Sequence, residues 1–384
     1  MTPFVFNTTP SIRFGAGLLD RLDEVAAATL GPRVMVVTDA GIVRCGMAAR
    51  ACAALERAGV ATAVFAEVMA DPTEALVLAA EAATRSFGAT GVLGLGGGSS
   101  LDVAKLCAAL ATGGSDLRAS YGVGNLRGGR LPLVLVPTTA GTGSEATPIS
   151  IVTTGGQEKS GVVSPVLLPD IAVLDPDLTL GLPAPVTAAT GIDAMVHAIE
   201  AYCSASPNNN PVSRALALEA LRLMGAALET AVHEPANIQA RSDMLLGSLL
   251  AGQAFANSPV AAVHALAYPI GGMFKVPHGL SNALVLPHVI RFNAATHPEA
   301  YARIAPILFE GMDSLAPDAA FVFADALAAL SHRCGLPQRL RDVGIGQDAL
   351  AAMAADAMKQ TRLLVNNPRA LTLDDALGIY QAAW

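Results

Sequence analysis

Short apolar runs alternate with helical stretches through the first half of the chain. Runs rich in valine and leucine between glycine, proline or aspartate predict buried strands of a parallel sheet. In chain order the runs are RVMVVT (33–38), ATAVFAEV (61–68), GVLGLGGG (91–98), LPLVLVPTT (131–139) and IAVLDP (171–176). Helical stretches at 46–58 and 73–87 separate the first three runs. Because strands that alternate with helices build a parallel sheet covered on both faces, we predict a doubly wound, mainly parallel α/β domain.

The second half of the chain loses the strand pattern and becomes helical. From Thr187 onward alanine and leucine recur with helical periodicity, as in SRALALEALRLMGAALETAV. Pro183 and Pro185 interrupt the chain just before this change. A chain of 384 residues also exceeds what one hydrophobic core usually holds. We therefore predict an α/β domain over residues 1–182 and an all-helical domain over residues 183–384.

One uncharged stretch is long enough to suggest a membrane helix. No aspartate, glutamate, lysine or arginine occurs between Asp243 and Lys275, and a bilayer span needs about 20 apolar residues. The stretch nevertheless contains Gln253, Asn257 and His264, and much of its hydrophobicity comes from alanine. We expect buried core helices there and no membrane association.

Charge and cysteine usage narrow the class of protein further. The chain has 24 basic and 32 acidic residues, a net charge of −8, and no basic run that could follow a phosphate backbone. This balance argues against a nucleic-acid partner. Five cysteines lie scattered without CxxC spacing, as expected of reduced core thiols. The N-terminus lacks the basic start and apolar core of a secretory signal, so we expect a cytoplasmic protein.

Four residues of the helical half have the chemistry and spacing of metal ligands. Asp193 and His197 stand four apart, so both project from one face of a helix. His264 and His278 flank Pro269 and the Gly271-Gly272 pair, which we expect to end a helix and let both imidazoles reach the same point. One carboxylate and three imidazoles suit Fe²⁺ or Zn²⁺ better than Ca²⁺ or Mg²⁺. Spacing alone leaves open the alternative of satisfied core histidines.

A glycine-rich turn follows the third predicted strand. Gly96, Gly97 and Gly98 precede Ser99 and a predicted helix. Glycine lets backbone N–H groups approach a pyrophosphate closely, and a helix N-terminus carries partial positive charge. The turn is not the GxGxxG fingerprint, and tight turns between a strand and a helix also use glycine. The run by itself leaves both interpretations open.

Polar groups follow two further predicted strands. The loop after LPLVLVP supplies hydroxyls able to bond phosphate or ribose oxygens, from Thr138, Thr139, Thr142 and Ser144. Asp39 follows the first strand, where a carboxylate accepts hydrogen bonds from a ribose and repels a 2′-phosphate, which favours NAD over NADP. The alternative for Asp39 is an ordinary turn aspartate.

Four segments together resemble the signatures of the iron-containing alcohol dehydrogenases. They are GGGSSLDVAK (96–105), PTTAGTGSE (137–145), GIDAMVHAIEAY (191–202) and HALAYPIGGMFKVPHGLSNALVLPHV (264–289). The resemblance extends over essentially the whole chain. It implies a dinucleotide-binding domain at 1–182 and a metal-binding and substrate domain at 183–384.

The resemblance also implies which residues hold the cofactors. The metal ligands are Asp193, His197, His264 and His278, with Fe²⁺ the expected ion and Zn²⁺ the alternative. The NAD pyrophosphate is held by Gly96, Gly97, Gly98 and Ser99, and Thr138, Thr139 and Thr142 line the adenine and nicotinamide ends. We complete the cofactor-binding set with Asp39, Asp102, Ser144 and Lys159. For Asp102 and Lys105 the alternative is a solvated salt bridge of small value.

These implications predict an NAD- and metal-dependent alcohol dehydrogenase or aldehyde reductase. The metal acts as a Lewis acid on the substrate oxygen, and nicotinamide accepts the hydride. We expect a small to medium primary alcohol or aldehyde as substrate and a homodimer as the assembly. A reductase of a keto acid on the same fold is the first alternative, and a dehydroquinate synthase-like lyase is a weaker one.

Two positions depart from the commoner family pattern. Tyr268 stands where many members have a histidine beside the nicotinamide, and a phenol titrates near 10, so it shuttles protons poorly at neutral pH. Tyr268 can still donate a hydrogen bond, and we predict that it lies near the nicotinamide without binding the metal. Asp71 stands where relatives more often have asparagine. The sequence offers no interpretation of that added charge.

Overall fold

The apolar runs of the first half form a parallel sheet, as predicted. The computed structural model describes residues 3–155 and 158–384. Six strands are ordered β1-β9-β6-β4-β2-β3, and every neighbouring pair is parallel. The strands within the described ranges are β1 (Ser11–Phe14), β2 (Arg33–Asp39), β3 (Ala61–Val68), β4 (Gly91–Gly96), β5 (Gly122–Val123), β6 (Leu133–Pro137), β7 (Ile149–Thr154), β8 (Glu158–Val163) and β9 (Ile171–Leu174).

Apolar side chains leave this sheet on both faces. Val34 and Val36 of β2 lie in one buried cluster, and Met35 and Val37 lie in another, because successive residues of a strand point to opposite faces. The covering helices include the two that the sequence predicted at 46–58 and 73–87. The helices of this half are α1 (Leu22–Val25), α2 (Ala27–Leu30), α3 (Ala40–Arg44), α4 (Met47–Arg57), α5 (Glu74–Phe87) and α6 (Gly98–Leu110). The doubly wound architecture is confirmed.

A second, three-stranded sheet was not predicted. Its order is β5-β8-β7, with β7 and β8 antiparallel and β5 parallel to β8. The segments ISIVTT and EKSGVV carry few strongly apolar residues, so they have no continuous apolar run. Edge strand β1 escaped prediction because it is short and largely exposed.

The second half is helical, as predicted, with no strand among the described residues from Gly181 onward. Its helices are α7 (Ala184–Cys203), α8 (Pro211–His233), α9 (Ile238–Asn257), α10 (Ala262–Phe274), α11 (His278–Ala294), α12 (Pro298–Leu308), α13 (Ala319–Arg333), α14 (Leu350–Ala357), α15 (Thr361–Leu364) and α16 (Leu373–Ala383). Helix α7 packs against α8, α9 and α11 and is buried along most of its length. Two compact units divide the chain, Asn7–Leu180 and Gly181–Trp384 with the residues before Asn7.

The predicted break at Pro269 is wrong. Helix α10 continues through Pro269 and the Gly271-Gly272 pair to Phe274, and its C-cap residue Lys275 has a φ of 58°, in the left-handed region. A proline in a helix removes one backbone hydrogen bond and crowds the preceding turn. In that turn the Leu266 carbonyl accepts a hydrogen bond of 2.6 Å from the Tyr380 hydroxyl. The helix therefore ends later than expected, at Phe274, and the next helix begins at His278.

The uncharged stretch after Asp243 forms parts of α9 and α10, whose side chains are mostly buried. Among the described residues, no helix is long and apolar enough to cross a membrane.

All five cysteines lie within the described ranges and are free thiols. Cys107, Cys203 and Cys334 are buried, as expected of core thiols. Cys45 is exposed and Cys52 is half-buried, so the prediction that all five are core residues is wrong for these two.

Candidate metal centre and nucleotide loops

Helix α7 presents three polar side chains on one face. Asp193, His197 and Glu200 are spaced at i, i+4 and i+7, which places them one above the other along a helix. Their relative exposures are 2%, 6% and 6%. Buried polar groups of this kind require hydrogen-bond or ionic partners. The hydrogen-bond partners of Asp193 and Glu200 come from α10 and α11.

Three of the four predicted ligands converge. One ligand atom each of Asp193, His264 and His278 lies within 4.8 Å of the others. The His264 and His278 Nε2 atoms are 3.9 and 3.8 Å from Asp193 Oδ1. Ligand atoms about 2.1 Å from a tetrahedral ion lie roughly 3.4 Å apart. The two distances to Asp193 Oδ1 exceed this value by about half an ångström, so small side-chain movements bring both imidazoles to a distance that suits one divalent ion.

The fourth predicted ligand, His197, lies beside this group. Its ring stacks on Phe255 at 4.3 Å between centroids and on His264 at 4.7 Å. It does not belong to the set of ligand atoms within 4.8 Å of one another. Metal binding by His197 therefore stays a prediction.

Asn282 occupies the middle of the converging group. Its Nδ2 donates to Asp193 Oδ1 at 2.6 Å and lies 3.4 and 3.3 Å from the Nε2 atoms of His264 and His278. Its Oδ1 is buried and has no hydrogen-bond partner among the described residues. Lone pairs of one carboxylate and two imidazoles thus point toward a positively polarised amide. The residues present fit a divalent cation bound at this place.

The electrostatics of Asp193 suit a ligand. Burial opposes ionisation, but the imidazoles of His278, His197 and His264 outweigh it, and the pKa of the carboxyl lies below its usual value. A metal ligand of this type must be deprotonated. The His278 side chain is 45% exposed, whereas those of Asp193 and His264 are each 4% exposed. The group therefore opens to solvent at His278.

Sequence reasoning missed Glu200 and Asn282. Both carried a signal in their spacing, since Glu200 stands three residues after His197 and Asn282 four after His278. Residues at these spacings share a helix face. A search for polar side chains in helical register with the ligands finds both.

Tyr268 lies next to the converging ligands. It is half-buried on α10, one turn after His264, and its ring centroid is 6.0 Å from that of His278. Its predicted place near a nicotinamide stays a prediction.

The predicted nucleotide residues gather at one edge of the large sheet. Strands β2, β4 and β6 are parallel neighbours, so their carboxyl ends lie side by side. Those ends are Asp39, Gly96 and Pro137, and the Thr138 amide donates to the Gly96 carbonyl at 3.0 Å. Ligands of open α/β sheets bind at this edge. The position of the loops therefore suits a nucleotide.

The glycine turn is shaped by its neighbours. Gly96 has φ of 146°, which favours glycine. A Cβ added at Gly98 meets Thr142 Cγ2 at 2.7 Å, and one added at Gly97 lies 3.6 Å from Thr139 Cγ2. No side chain caps helix α6, whose first turn includes Ser99. Two of the three predicted threonines thus border backbone donors at the start of α6.

Asp39 has a structural task besides the predicted one. Its Oδ1 caps α3 by accepting from the Gly41 and Ile42 amides at 2.7 and 3.1 Å. Its Oδ2 lies 3.4 Å from Ser100 Oγ in the first turn of α6. The carboxylate therefore stands beside the glycine turn, and both interpretations of Asp39 remain compatible.

We expect Asp39→Asn to raise the use of NADP relative to NAD about tenfold or more. Two like charges about 4 Å apart repel by roughly 4 kcal/mol at an effective dielectric constant near 20, and solvent screens part of this. The asparagine oxygen keeps the cap on α3, so stability should change little. The measurement is kcat/KM with each cofactor. A wild-type enzyme that already prefers NADP contradicts the assignment.

Asp102, Lys105 and Ser144 form a buried network. Ser144 Oγ donates to Asp102 Oδ1 at 2.6 Å, and Lys105 Nζ donates to Ser144 Oγ at 2.7 Å. Asp102 Oδ2 also accepts from the Ile151 amide, and Lys105 donates to the Ile149 carbonyl. Burial lowers the pKa of the Lys105 ammonium to about 8, although two neighbouring carboxylates oppose the shift.

The alternative of a solvated salt bridge does not hold, since the Lys105 side chain is fully buried. The network ties α6 to β7. Cofactor binding by Asp102 and Ser144 stays a prediction.

The structure explains the departure at Asp71. Its φ of 56° lies in the left-handed region, which asparagine and aspartate tolerate better than most residues. Its carboxylate forms an ion pair with Lys159, a predicted cofactor residue on β8. Thr153 donates to the Asp71 carbonyl and accepts from Lys159, each at 3.2 Å. The added charge of Asp71 thus balances the charge of Lys159.

Two family profiles together match most of the chain. The profile described as iron-containing alcohol dehydrogenase matches residues 9–176. The profile described as Fe-containing alcohol dehydrogenase family, C-terminal, matches residues 187–384. The family resemblance of the sequence motifs is confirmed.

Similar proteins and solved structures point to the same family as the two profiles. Long-chain-alcohol dehydrogenase 1 of Geobacillus thermodenitrificans (strain NG80-2) is 39% identical over 380 residues, 98% of this chain and 95% of the relative. The 1,3-propanediol dehydrogenase of Citrobacter freundii is 37% identical over 375 residues, 97% of this chain and 96% of the relative.

Among solved structures, an alcohol dehydrogenase from Oenococcus oeni has a TM-score of 0.95 at 33% identity over 100% of both chains. A sulfoacetaldehyde reductase from Bifidobacterium kashiwanohense in complex with NAD⁺ has a TM-score of 0.89 at 30% identity, covering 100% of this chain and 99% of that one. The chain therefore belongs to the iron-containing alcohol dehydrogenase family, whose members are NAD- and metal-dependent oxidoreductases acting on CH–OH groups.

Proposed function

We propose that this enzyme interconverts a small to medium primary alcohol and its aldehyde, with NAD as hydride carrier. Residues 1–182 are the dinucleotide-binding domain, and residues 183–384 hold the metal and the substrate. The convergence of Asp193, His264 and His278 on one partly open point is the observation that carries the proposal. The relatives named for long-chain alcohol and 1,3-propanediol oxidation support the substrate class.

Each residue of the proposed metal site has a distinct task. Asp193, His197, His264 and His278 would hold the ion, which when bound supplies Lewis-acid polarisation of the substrate oxygen. Asn282 orients Asp193 through its 2.6 Å hydrogen bond. The exposed edge of His278 faces the side from which substrate enters. Fe²⁺ is the proposed ion, and Zn²⁺ suits the same ligands.

The proposed cofactor site uses the sheet edge. Backbone donors of Gly96, Gly97, Gly98 and Ser99 hold the pyrophosphate, as helix N-termini commonly do. Side chains that complete it are Asp39, Asp102, Thr138, Thr139, Thr142, Ser144 and Lys159. Asp39 selects the unphosphorylated ribose by its charge.

A substrate panel tests the proposal. Primary alcohols and aldehydes of two to ten carbons are assayed with NAD⁺ or NADH after reconstitution with Fe²⁺ or Zn²⁺. We expect turnover of primary alcohols and aldehydes in both directions. Activity confined to keto acids would support the alternative reductase instead.

Two of the three described arginines between Gly191 and Lys275 are engaged elsewhere, which gives the keto-acid alternative no support from them. An anionic substrate calls for free arginines near the ligands. Arg222 is engaged with Glu219 on the surface of α8. Arg241 is buried and donates to Thr187 and to the Pro235 carbonyl.

Tyr268 is proposed to donate a hydrogen bond near the reacting groups. We expect Tyr268→Phe to keep its metal content and to lose at most a few kcal/mol of transition-state stabilisation. If the reaction instead needs a histidine relay at this position, Tyr268→His should raise turnover below pH 7, where an imidazole is near its own pKa and shuttles protons well. Metal analysis and pH–rate profiles of both variants check this. Loss of metal from Tyr268→Phe would mean that the phenol belongs to the ligand set.

We propose a homodimer in the cytoplasm. Ile12 and Phe14 on edge strand β1 are 37% and 41% exposed, and the unpaired backbone groups of an edge strand are a template for pairing with another chain. Free thiols at all five cysteines suit a reducing compartment. Light scattering on the purified enzyme tests the dimer.

A further inference from the structure

Both carboxylate oxygens of Glu200, on helix α7, contact the first turn of helix α10. Its Oε2 lies 2.7 Å from His264 Nδ1, and its Oε1 accepts from the Val263 amide at 2.7 Å. The carboxylate is 6% exposed, so water does not satisfy it. Ala261, the N-cap residue of α10, provides no side-chain cap. Glu200 therefore supplies from another helix the cap that α10 lacks.

The same carboxylate decides which nitrogen of His264 carries the proton. An ionised carboxylate only accepts hydrogen bonds, so His264 Nδ1 must donate. The neutral ring then presents the lone pair of Nε2, the atom that faces Asp193. Asn282 gives independent support, since its Nδ2 lies 3.4 Å from that Nε2 and can only donate.

We infer that Glu200 is a positioning residue for metal binding, which fixes the tautomer and the place of His264 through a Glu–His–metal relay. This inference rests on the proposed metal site. A carboxylate that accepts a hydrogen bond from the nitrogen of a metal-binding histidine that does not face the metal typically contributes 10- to 100-fold in metal affinity. Helix α7 thus contributes two predicted ligands, Asp193 and His197, and the support for a third.

The replacement Glu200→Gln separates this role from simple packing. A glutamine has one acceptor and one donor end, so it cannot satisfy both Val263 N–H and His264 Nδ1–H. If its oxygen caps Val263, its NH₂ group meets Nδ1 and drives the proton to Nε2, which removes the lone pair. If its oxygen stays on His264, the cap is lost and α10 shifts. Either arrangement weakens the metal site.

The test measures metal affinity and the histidine tautomer on the full-length chain. Competition titration with Zn²⁺ should show a dissociation constant about 10- to 100-fold higher for Glu200→Gln than for wild type. Glu200→Asp, which keeps the charge on a shorter side chain, should recover part of the loss. Glu219→Gln, at a surface ion pair with Arg222 on α8, is the matched control and should bind like wild type.

Nitrogen-15 spectra of the metal-free wild-type protein complete the test. They should show His264 protonated at Nδ1, and a proton at Nε2 overturns the inference even if Glu200→Gln fails to fold. Unchanged Zn²⁺ affinity in Glu200→Gln also overturns it. Failure of the wild type to bind any divalent ion would contradict the proposed metal site instead, so the two claims fail separately.

Discussion

Replacing Asp193 by alanine is expected to abolish metal binding and alcohol oxidation together. Asp193 is the only carboxylate among the predicted ligands, and the two converging imidazoles meet at its Oδ1. Charge stabilisation by a bound metal is worth several kcal/mol, and each 1.36 kcal/mol is tenfold in rate. We therefore expect kcat/KM to fall by about 10³-fold or more. Metal analysis and NADH formation measure the two effects.

Two further variants make the Asp193 result specific. Asp193→Asn keeps the shape of the side chain without its charge, and it should also lose metal. Asp374→Ala, at an exposed position of α16, is the matched control and should keep both properties. Full activity of Asp193→Ala in chelator-treated buffer would contradict the ligand assignment.

Gly279→Ala is expected to weaken the same metal site by displacing the backbone of helix α11. Gly279 follows His278 in the first turn of α11, where α11 packs directly on α7. A Cβ there lies 2.8 Å from the Ala189 carbonyl carbon, closer still to its oxygen, and 3.2 Å from Asp193 Cβ. Backbone atoms cannot give way as a flexible side chain can, so α11 must move. This movement takes His278 away from Asp193. We expect a loss of about 1–3 kcal/mol in stability and a weaker metal site.

Gly378→Ala is the matched control for this prediction. Gly378 also lies in a helix, α16, but an added Cβ meets nothing within 4 Å. Alanine there should stabilise the protein by up to about 1 kcal/mol, because glycine is a poor helix former. Thermal unfolding and Zn²⁺ titration of both variants make the comparison. Equal metal affinity in Gly279→Ala and wild type would show that the α7–α11 contact does not set the site.

The parts of the fold that were predictable from sequence are those with strong local periodicity. Strands β2, β4 and β6 are buried on both sides, so they appear as continuous apolar runs between turn residues. Strands β7 and β8 are partly exposed and polar, and their pairing depends on contacts that no local pattern encodes. The course of α10 was mispredicted because tertiary packing keeps Pro269 within the helix.

The candidate site was predictable where one helix supplies the chemistry. Asp193 and His197 share a face of α7 by spacing alone. The approach of His264 to His278 depends on where α10 ends. The sequence predicted that end too early in the chain. Asp102 illustrates a different limit, because its burial arises from contacts with Ser144 and β7 across about 40 residues of sequence. Long-range partners of this kind turn a helical ion pair into a core network.

Stoichiometric reconstitution tests the central claim most directly. Chelator-treated enzyme is titrated anaerobically with Fe²⁺, or in air with Zn²⁺, while NADH formation from a primary alcohol is followed. We predict no activity without metal and a linear rise that stops at one ion per chain. Full NAD-dependent oxidation by the metal-free enzyme would contradict the proposal. So would an equal rise in activity when the Asp193→Ala variant is titrated with metal.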